Sequence, residues 1–117
     1  MQTLVFVNPL RPGKLKEYKE FAAEITGPRK REYIDLLRRY GLKDAKVYYH
    51  KIGGREFVIV IHEAENDATS RLGNFASSTH PFDLWFYDQL QKLHEFEGAE
   101  TQAELLFSFD PRHHIAK

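Results

Sequence analysis

The apolar residues of this chain change their spacing several times, and each spacing predicts a different element. Residues 3–8 form a run rich in valine and phenylalanine, which predicts a buried strand. After a turn at Arg11-Pro12-Gly13, apolar residues recur every three or four positions, which predicts an amphipathic helix containing Leu15, Tyr18, Phe21, Ala22 and Ile25. Thr26-Gly27-Pro28 ends that helix, and Pro28 suits the first turn of a second helix that ends at Gly41.

The next two apolar runs flank a glycine pair and predict a hairpin. Residues 45–52 and 55–63 are the predicted strands, and Gly53-Gly54 can supply the positive φ angles of a two-residue turn. With that turn, Ile52 lies opposite Arg55. One face of the pair then carries Tyr48, His50, Phe57, Ile59 and Ile61, and the other carries Val47, Tyr49, Val58, Val60 and His62. Both faces are largely apolar, so we expect helices to cover one and a second copy of the sheet to cover the other.

The last third of the chain predicts two helices and a final strand. Asn66 or Asp67 caps a short third helix, and His80 caps a fourth that begins at Pro81. Residues 95–102 read as a polar loop and residues 104–109 as the last strand. The order is βαββαβ when each broken helix counts once, which predicts an α+β ferredoxin-like sandwich with an antiparallel sheet, spanning residues 1–110 and followed by a tail at 111–117.

Composition narrows the classes of function. The chain has 17 basic and 17 acidic residues, interleaved along the helices, so the net basic face of a nucleic-acid-binding protein is not expected. It has no cysteine, so neither disulfides nor thiolate chemistry are available. The apolar start is too short for a signal or a membrane span, and we expect a cytoplasmic protein without membrane association. No spacing predicts a metal site or a phosphate-binding loop, and we expect no cofactor.

In layout the chain resembles the dimeric αβ-barrel superfamily, and within it the L-rhamnose mutarotase branch. The matching stretches are Glu17-Tyr18, Arg39-Tyr40-Gly41, Val47-Tyr48 with Lys51, and Ser78-Thr79 followed by Trp85-Phe86. The resemblance implies a homodimer through the sheet face and a small-molecule pocket walled by Tyr18 and Trp85. Where the mutarotases carry their catalytic histidine, this chain has Ala22, and Ala45 stands near their ligand-contacting tyrosine. The segments 26–30 and 79–83 are also similar to an uncharacterised branch of the same superfamily.

Two histidines are the candidate proton-transfer groups. His80 precedes a helix, whose positive dipole end favours a neutral imidazole; the alternative is that it only caps the helix. His50 lies among apolar neighbours on one sheet face, where a core role is the alternative to catalysis. If His50 and His80 share one cavity between sheet and helices, they can serve as acid and base in place of the histidine absent at Ala22.

The remaining candidates are residues that bind rather than react. Tyr18, Tyr48 and Trp85 combine apolar rings with polar tips, as ligand walls do, although such residues also build cores. Arg29 is a candidate anion clamp or a solvated surface residue. The sequence thus predicts a protein that binds a small polar, sugar-like molecule, as a cofactor-free mutarotase-like isomerase. The alternatives are a cofactor-independent monooxygenase-like enzyme and a non-catalytic binding or assembly module.

Overall fold

The computed structural model of the protein describes residues 1–96 and 102–113. Within them the chain forms three strands and four α-helices. Their bounds are β1 Gln2–Pro9, α1 Leu15–Thr26, α2 Lys30–Arg39, β2 Lys46–Ile52, β3 Arg55–Ala64, α3 Ala68–Leu72 and α4 Pro81–Leu93. The α+β prediction is confirmed, and each predicted helix begins and ends within a few residues of its expected bounds. No helix of the described ranges is both long enough and apolar enough to cross a membrane.

The sheet has the order β1-β3-β2, and both pairs of strands are antiparallel. Ile52 lies opposite Arg55 and His50 opposite Phe57, so the predicted two-residue hairpin and its register are confirmed. Gly53 and Gly54 have φ angles of 54° and 83°, a combination that side chains with a Cβ rarely adopt.

The helices pack against one face of the sheet, which we call the inner face. Leu4 of β1 and Val58 of β3 point to this face and lie in one apolar core with Phe21, Leu36 and Phe82 of the helices. The opposite, outer face carries Val7, Tyr48 and Ile52, which are exposed in the single chain. The chain's own helices therefore cover one face of the sheet, as predicted. The described residues do not cover the outer face.

The predicted last strand, residues 104–109, does not form in the structure. Gln102 makes an isolated bridge to Phe6, and the Ala103 N–H donates to the Val5 carbonyl at 2.6 Å, after which residues 104–110 leave the sheet. The physical reason for the wrong prediction is that a pattern of apolar residues favours an extended segment but does not specify the strand with which that segment pairs. The predicted loop at 95–102 and tail at 111–117 lie partly outside the described residues, and residues 111–113 form one 3-10 turn.

Candidate functional site

A cavity of about 270 Å³ lies between the inner face of the sheet and the helices. Aromatic rings from strands, helices and connections form a large part of its wall, among them Phe6, Tyr18, Phe21, Tyr33, Phe75 and Phe86. Several rings pack on one another, such as Tyr33 stacked on Phe86 with ring centroids 5.8 Å apart. Rings fixed in this way hold the shape of a pocket without a ligand, which lowers the entropy lost on binding.

Asn8 supplies an unpaired polar atom at the cavity wall. It lies at the inner face of β1 with only 9% of its surface exposed. Its Oδ1 is buried and accepts no hydrogen bond from the described residues. Because an unsatisfied buried oxygen costs free energy, this position is one where a ligand hydroxyl or amide would be stabilised.

His62 of β3 also lines the cavity and has a defined tautomer. Its Nδ1 lies 2.7 Å from the Asp44 carbonyl oxygen, which can only accept, so Nδ1 carries the proton of the neutral ring and Nε2 keeps its lone pair. Burial lowers the pKa of His62 below its ordinary value of 6.5, although the bond to Asp44 opposes part of this effect. At neutral pH the ring is therefore an uncharged base.

Tyr18 of α1 and Tyr33 of α2 line the same cavity. Burial raises the pKa of Tyr18 far above 10, and the neighbouring Tyr33 adds to the effect. Burial also raises the pKa of Tyr33. Both phenols therefore stay protonated across the physiological range and can donate a hydrogen bond to a ligand oxygen.

His94 is a buried residue that packs against the Tyr18 ring. The two rings meet edge to face with centroids 5.6 Å apart, and His94 is only 1% exposed. Its Nδ1 lies 3.1 Å from the Pro9 carbonyl oxygen, whereas its buried Nε2 has no partner among the described residues. Burial lowers the pKa of His94, so this ring too is neutral near pH 7.

A buried carboxylate ties the helices that form the cavity roof. The two terminal nitrogens of Arg39 donate to Asp83 at 2.8 and 2.7 Å, the Tyr40 hydroxyl donates at 2.8 Å and Ser78 Oγ at 2.7 Å. Burial alone would raise the pKa of Asp83, but these hydrogen bonds outweigh it and lower the pKa to about 2. Since Tyr40 also lines the cavity, this junction between α2 and α4 fixes part of the wall.

The two predicted catalytic histidines lie on opposite sides of the sheet. His80 caps α4 as predicted, with its Nδ1 accepting from the Phe82 N–H at 3.3 Å. His50 is exposed on the outer face, opposite Phe57, where Tyr48 also lies. The hypothesis that His50 and His80 share one cavity is therefore wrong for the single chain, because successive side chains of a strand alternate between faces and the register assigns His50 to the outer one.

Of the four predicted binding residues, Tyr18 alone lines the cavity. The Arg29 guanidinium lies 4.0 Å from the centre of the Trp85 ring, a cation–π contact, and Arg29 also pairs with Glu32 at 3.0 Å. Trp85 packs on Phe21 and Phe82 and borders a separate shallow hollow with acidic residues of α1. Arg29 and Trp85 thus form a contact between helices rather than part of the cavity wall.

Sequence reasoning missed Asn8 and His62 as site residues. Asn8 was predicted only as the last residue of the first strand, whereas that strand continues to Pro9. His62 shares the inner face with Val58 and Val60, as the hairpin register already indicates. The sequence did hold a signal for such residues. A polar side chain on the sheet face that the helices must cover needs a hydrogen-bond partner in the interior.

Comparison with known proteins identifies the fold through solved structures rather than through sequence. No protein-family model matches the chain, and no curated protein matches it by sequence. Among solved structures it is similar to the tetracenomycin F2 cyclase of Streptomyces glaucescens, a type II polyketide cyclase, with a TM-score of 0.61, 15% identity, and 94% of this chain and 98% of that one covered.

It is also similar to an L-rhamnose mutarotase from Formosa agariphila, with a TM-score of 0.63, 15% identity, and 94% of this chain and 100% of the mutarotase covered. At this identity the likeness concerns the fold alone. The chain therefore has a ferredoxin-like fold.

Proposed function

We propose that the protein binds a small, flat and mainly apolar molecule in the cavity and catalyses proton transfer on it without a cofactor. The observation that carries the proposal is a cavity walled by aromatic rings in which Asn8 presents a buried, unpaired oxygen. Pockets for small molecules have this composition: mostly apolar surface, with a few polar groups that fix the orientation.

The size and polarity of the cavity favour a molecule of one or two rings. A cavity of roughly 150 Å³ can hold benzene, and this one measures about 270 Å³. A sugar would bring a hydroxyl on nearly every carbon, and each hydroxyl left without a partner in an apolar pocket costs about 1–3 kcal/mol. An aryl ketone needs one hydrogen-bond donor, which the Tyr18 hydroxyl can be, and a hydroxyl on the aromatic ring can donate to Asn8 Oδ1.

His62 and Tyr18 supply the chemistry of enolisation. The Nε2 of neutral His62 takes a proton from the carbon beside a ligand carbonyl, while the Tyr18 hydroxyl donates a hydrogen bond to the carbonyl oxygen that becomes the enolate. Return of the proton to another position isomerises the ligand. Attack of the enolate carbon on a second carbonyl instead closes a ring and leaves an alkoxide that the histidinium protonates. The likeness to a polyketide cyclase supports this class of reaction.

A homodimer through the outer face of the sheet belongs to the same proposal. In the single chain, Val7, Tyr48 and Ile52 expose apolar surface on that face, which water does not favour. Pairing two such faces removes this surface from water. Sedimentation at micromolar concentration should give the mass of two chains, and a stable single chain at that dilution would contradict the pairing.

A sugar mutarotase is the second candidate function, because Tyr18, which the resemblance places at the sugar site, does line the cavity. Interconversion of anomers needs only an acid and a base at the ring oxygen and the anomeric hydroxyl. NMR exchange spectroscopy on a panel of sugars tests it, and rates equal to those in buffer for every sugar would remove this candidate.

The leading proposal is tested with a bicyclic aryl ketone, 1-tetralone, in deuterated water. The protein should accelerate exchange of the protons beside the carbonyl, and His62→Gln should reduce that acceleration by roughly 10²–10⁴-fold because the base is lost. Asn8→Ala should leave the binding of 1-tetralone, which has no donor for Asn8 Oδ1, nearly unchanged, and it should weaken the binding of a hydroxylated tetralone. Loss of the acceleration in His50→Gln or His80→Gln, with His62→Gln fully active, would overturn the assignment, and circular dichroism confirms that each variant is folded.

A further inference from the structure

The pairing of the strands contains one extra residue beside His62. Lys46 lies opposite Ile61 in the ladder between β2 and β3, whereas Leu42 makes an isolated bridge to Ala64. Three residues between Leu42 and Lys46 therefore oppose only two residues of β3. This arrangement is a β-bulge, and bulges change the direction in which nearby groups point and are frequent next to active sites.

Asp44 is the middle residue of the bulge and contacts β3 through both its backbone and its side chain. Its carbonyl oxygen lies 2.7 Å from His62 Nδ1, and its Oδ1 accepts from the Glu63 N–H at 2.8 Å. In a regular antiparallel ladder a backbone carbonyl accepts from such an N–H, so here a carboxylate takes the place of the backbone acceptor. The Asp44 carbonyl can therefore turn out of the ladder and meet the histidine.

Two contacts hold the His62 ring in one orientation. The Asp44 carbonyl meets Nδ1, and the Phe6 ring packs edge to face with ring centroids 6.1 Å apart. Because a carbonyl oxygen can only accept, it keeps the proton of the neutral ring on Nδ1 and leaves Nε2 with its lone pair. In a ladder without the bulge, the carbonyls would point within the sheet toward the neighbouring strand, and Nδ1 would lose this acceptor.

We propose that Asp44 is a positioning residue, whose carboxylate fixes the bulge so that its own carbonyl holds His62 in the tautomer with an unprotonated Nε2. Asp44 is not part of the cavity wall, so it acts on a ligand only through His62. The consequence for catalysis rests on the proposed function of the cavity. The effect on the tautomer rests only on the bulge and its two hydrogen bonds.

Nitrogen-15 NMR of the imidazole rings tests the tautomer directly, at about pH 8, where histidine is neutral. In the unmodified chain, His62 should show a protonated Nδ1 and an unprotonated Nε2. Asp44→Ala removes the acceptor of the Glu63 N–H and should shift His62 toward the Nε2–H form, whereas Asp44→Asn keeps an oxygen acceptor and should preserve the original signals. An Nε2–H ring in the unmodified chain, or unchanged signals in Asp44→Ala, would overturn the proposal.

Proton exchange of 1-tetralone measures the consequence for catalysis. Asp44→Ala should lower the acceleration by about tenfold or more, and Asp44→Asn should keep it within about twofold of the unmodified chain. The loss should appear in kcat with KM unchanged, because Asp44 lies outside the cavity wall. Lys43→Ala is the matched control: Lys43 belongs to the same bulge, but its side chain pairs with Glu65 at 3.3 Å and is half exposed, so neither the tautomer nor the rate should change.

The two measurements separate the positioning role from the proposed function. If the unmodified chain does not accelerate exchange of 1-tetralone but Asp44→Ala changes the His62 tautomer, the function is removed and the positioning role stands. If the unmodified chain accelerates exchange and Asp44→Ala does so equally, the positioning role is overturned and the function stands. Circular dichroism confirms that each variant is folded.

Discussion

Two neighbouring strands of one sheet have opposite environments. Val58 of β3 and Val47 of β2 both point to the inner face, but Val58 is 1% exposed and Val47 is 47% exposed. The helices α1, α2 and α4 pack over β1 and β3 and stop short of β2. The difference shows that the helical layer is narrower than the sheet, so the stability of the single chain depends mainly on β1 and β3, while β2 stays exposed.

Buried polar groups also differ, in whether their hydrogen bonds are satisfied. The carboxylate of Asp83 is buried between α2 and α4 and receives four hydrogen bonds, so it serves the packing of the helices. Asn8 and His94 are also buried, but Asn8 Oδ1 at the cavity wall and His94 Nε2 beside Tyr18 have no hydrogen-bond partner in the described part of the chain. Satisfied polar groups stabilise a fold, and unsatisfied ones point to what the fold is built to bind.

Loss of the buried Asp83 carboxylate should have the largest effect on stability. Asp83→Ala leaves the Arg39 charge without its buried partner and should lower the free energy of unfolding by about 3–5 kcal/mol. Asp35→Ala is the matched control, because Asp35 also bonds Arg39, at 2.8 Å, but is exposed; its cost should stay within about 0.5 kcal/mol. Urea titrations measure both, and equal costs would show that burial does not set the difference.

Truncation of the two valines compares β3 and β2 directly. Val58→Ala removes two buried methyl groups and should cost about 2 kcal/mol, whereas Val47→Ala should cost less than about 0.5 kcal/mol in the single chain. A larger cost for Val47→Ala that grows with protein concentration would sharpen the comparison, since it would show that a second copy covers β2. Thermal unfolding at two concentrations provides the measurement.

Lowering the pH should gradually reduce the free energy of unfolding. The pKa values of His62 and His94 are lowered by burial below 6.5, so below that pH the unfolded chain binds more protons than the folded one and stability falls as pH falls. The slope is at most about 1.4 kcal/mol per pH unit for each proton. The variant His62→Gln with His94→Gln should flatten the profile between pH 7 and 5. An unchanged slope would contradict the assignment.

Local patterns predicted most of the fold because their causes are local. The positive φ angles at Gly53 and Gly54 set the hairpin register, and the proline after His80 sets the start of α4, so both predictions are confirmed. The strand at 104–109 was predicted from alternation alone and is wrong for the single chain, since alternation specifies a strand but not its partner.

The candidate site was less predictable for a related reason. The sequence assigns His50 and His62 correctly to opposite faces, but not the width of the helical layer that makes one face a cavity wall and leaves the other open. Tyr18 was predicted as a wall residue and lines the cavity, whereas Trp85 turns toward Arg29. Which apolar ring faces a cavity and which fills the core depends on helix packing angles that short-range spacing does not encode.

By itself the sequence determined the order of the elements, the hairpin register and the apolar character of both sheet faces, because these follow from backbone sterics and side-chain alternation. Only the tertiary structure decided which face the helices cover, that Asn8 Oδ1 is buried with no hydrogen bond from the described residues, and that residues 104–110 leave the sheet. Those outcomes depend on how distant segments compete for the same surface, and that competition is resolved only when the chain is packed.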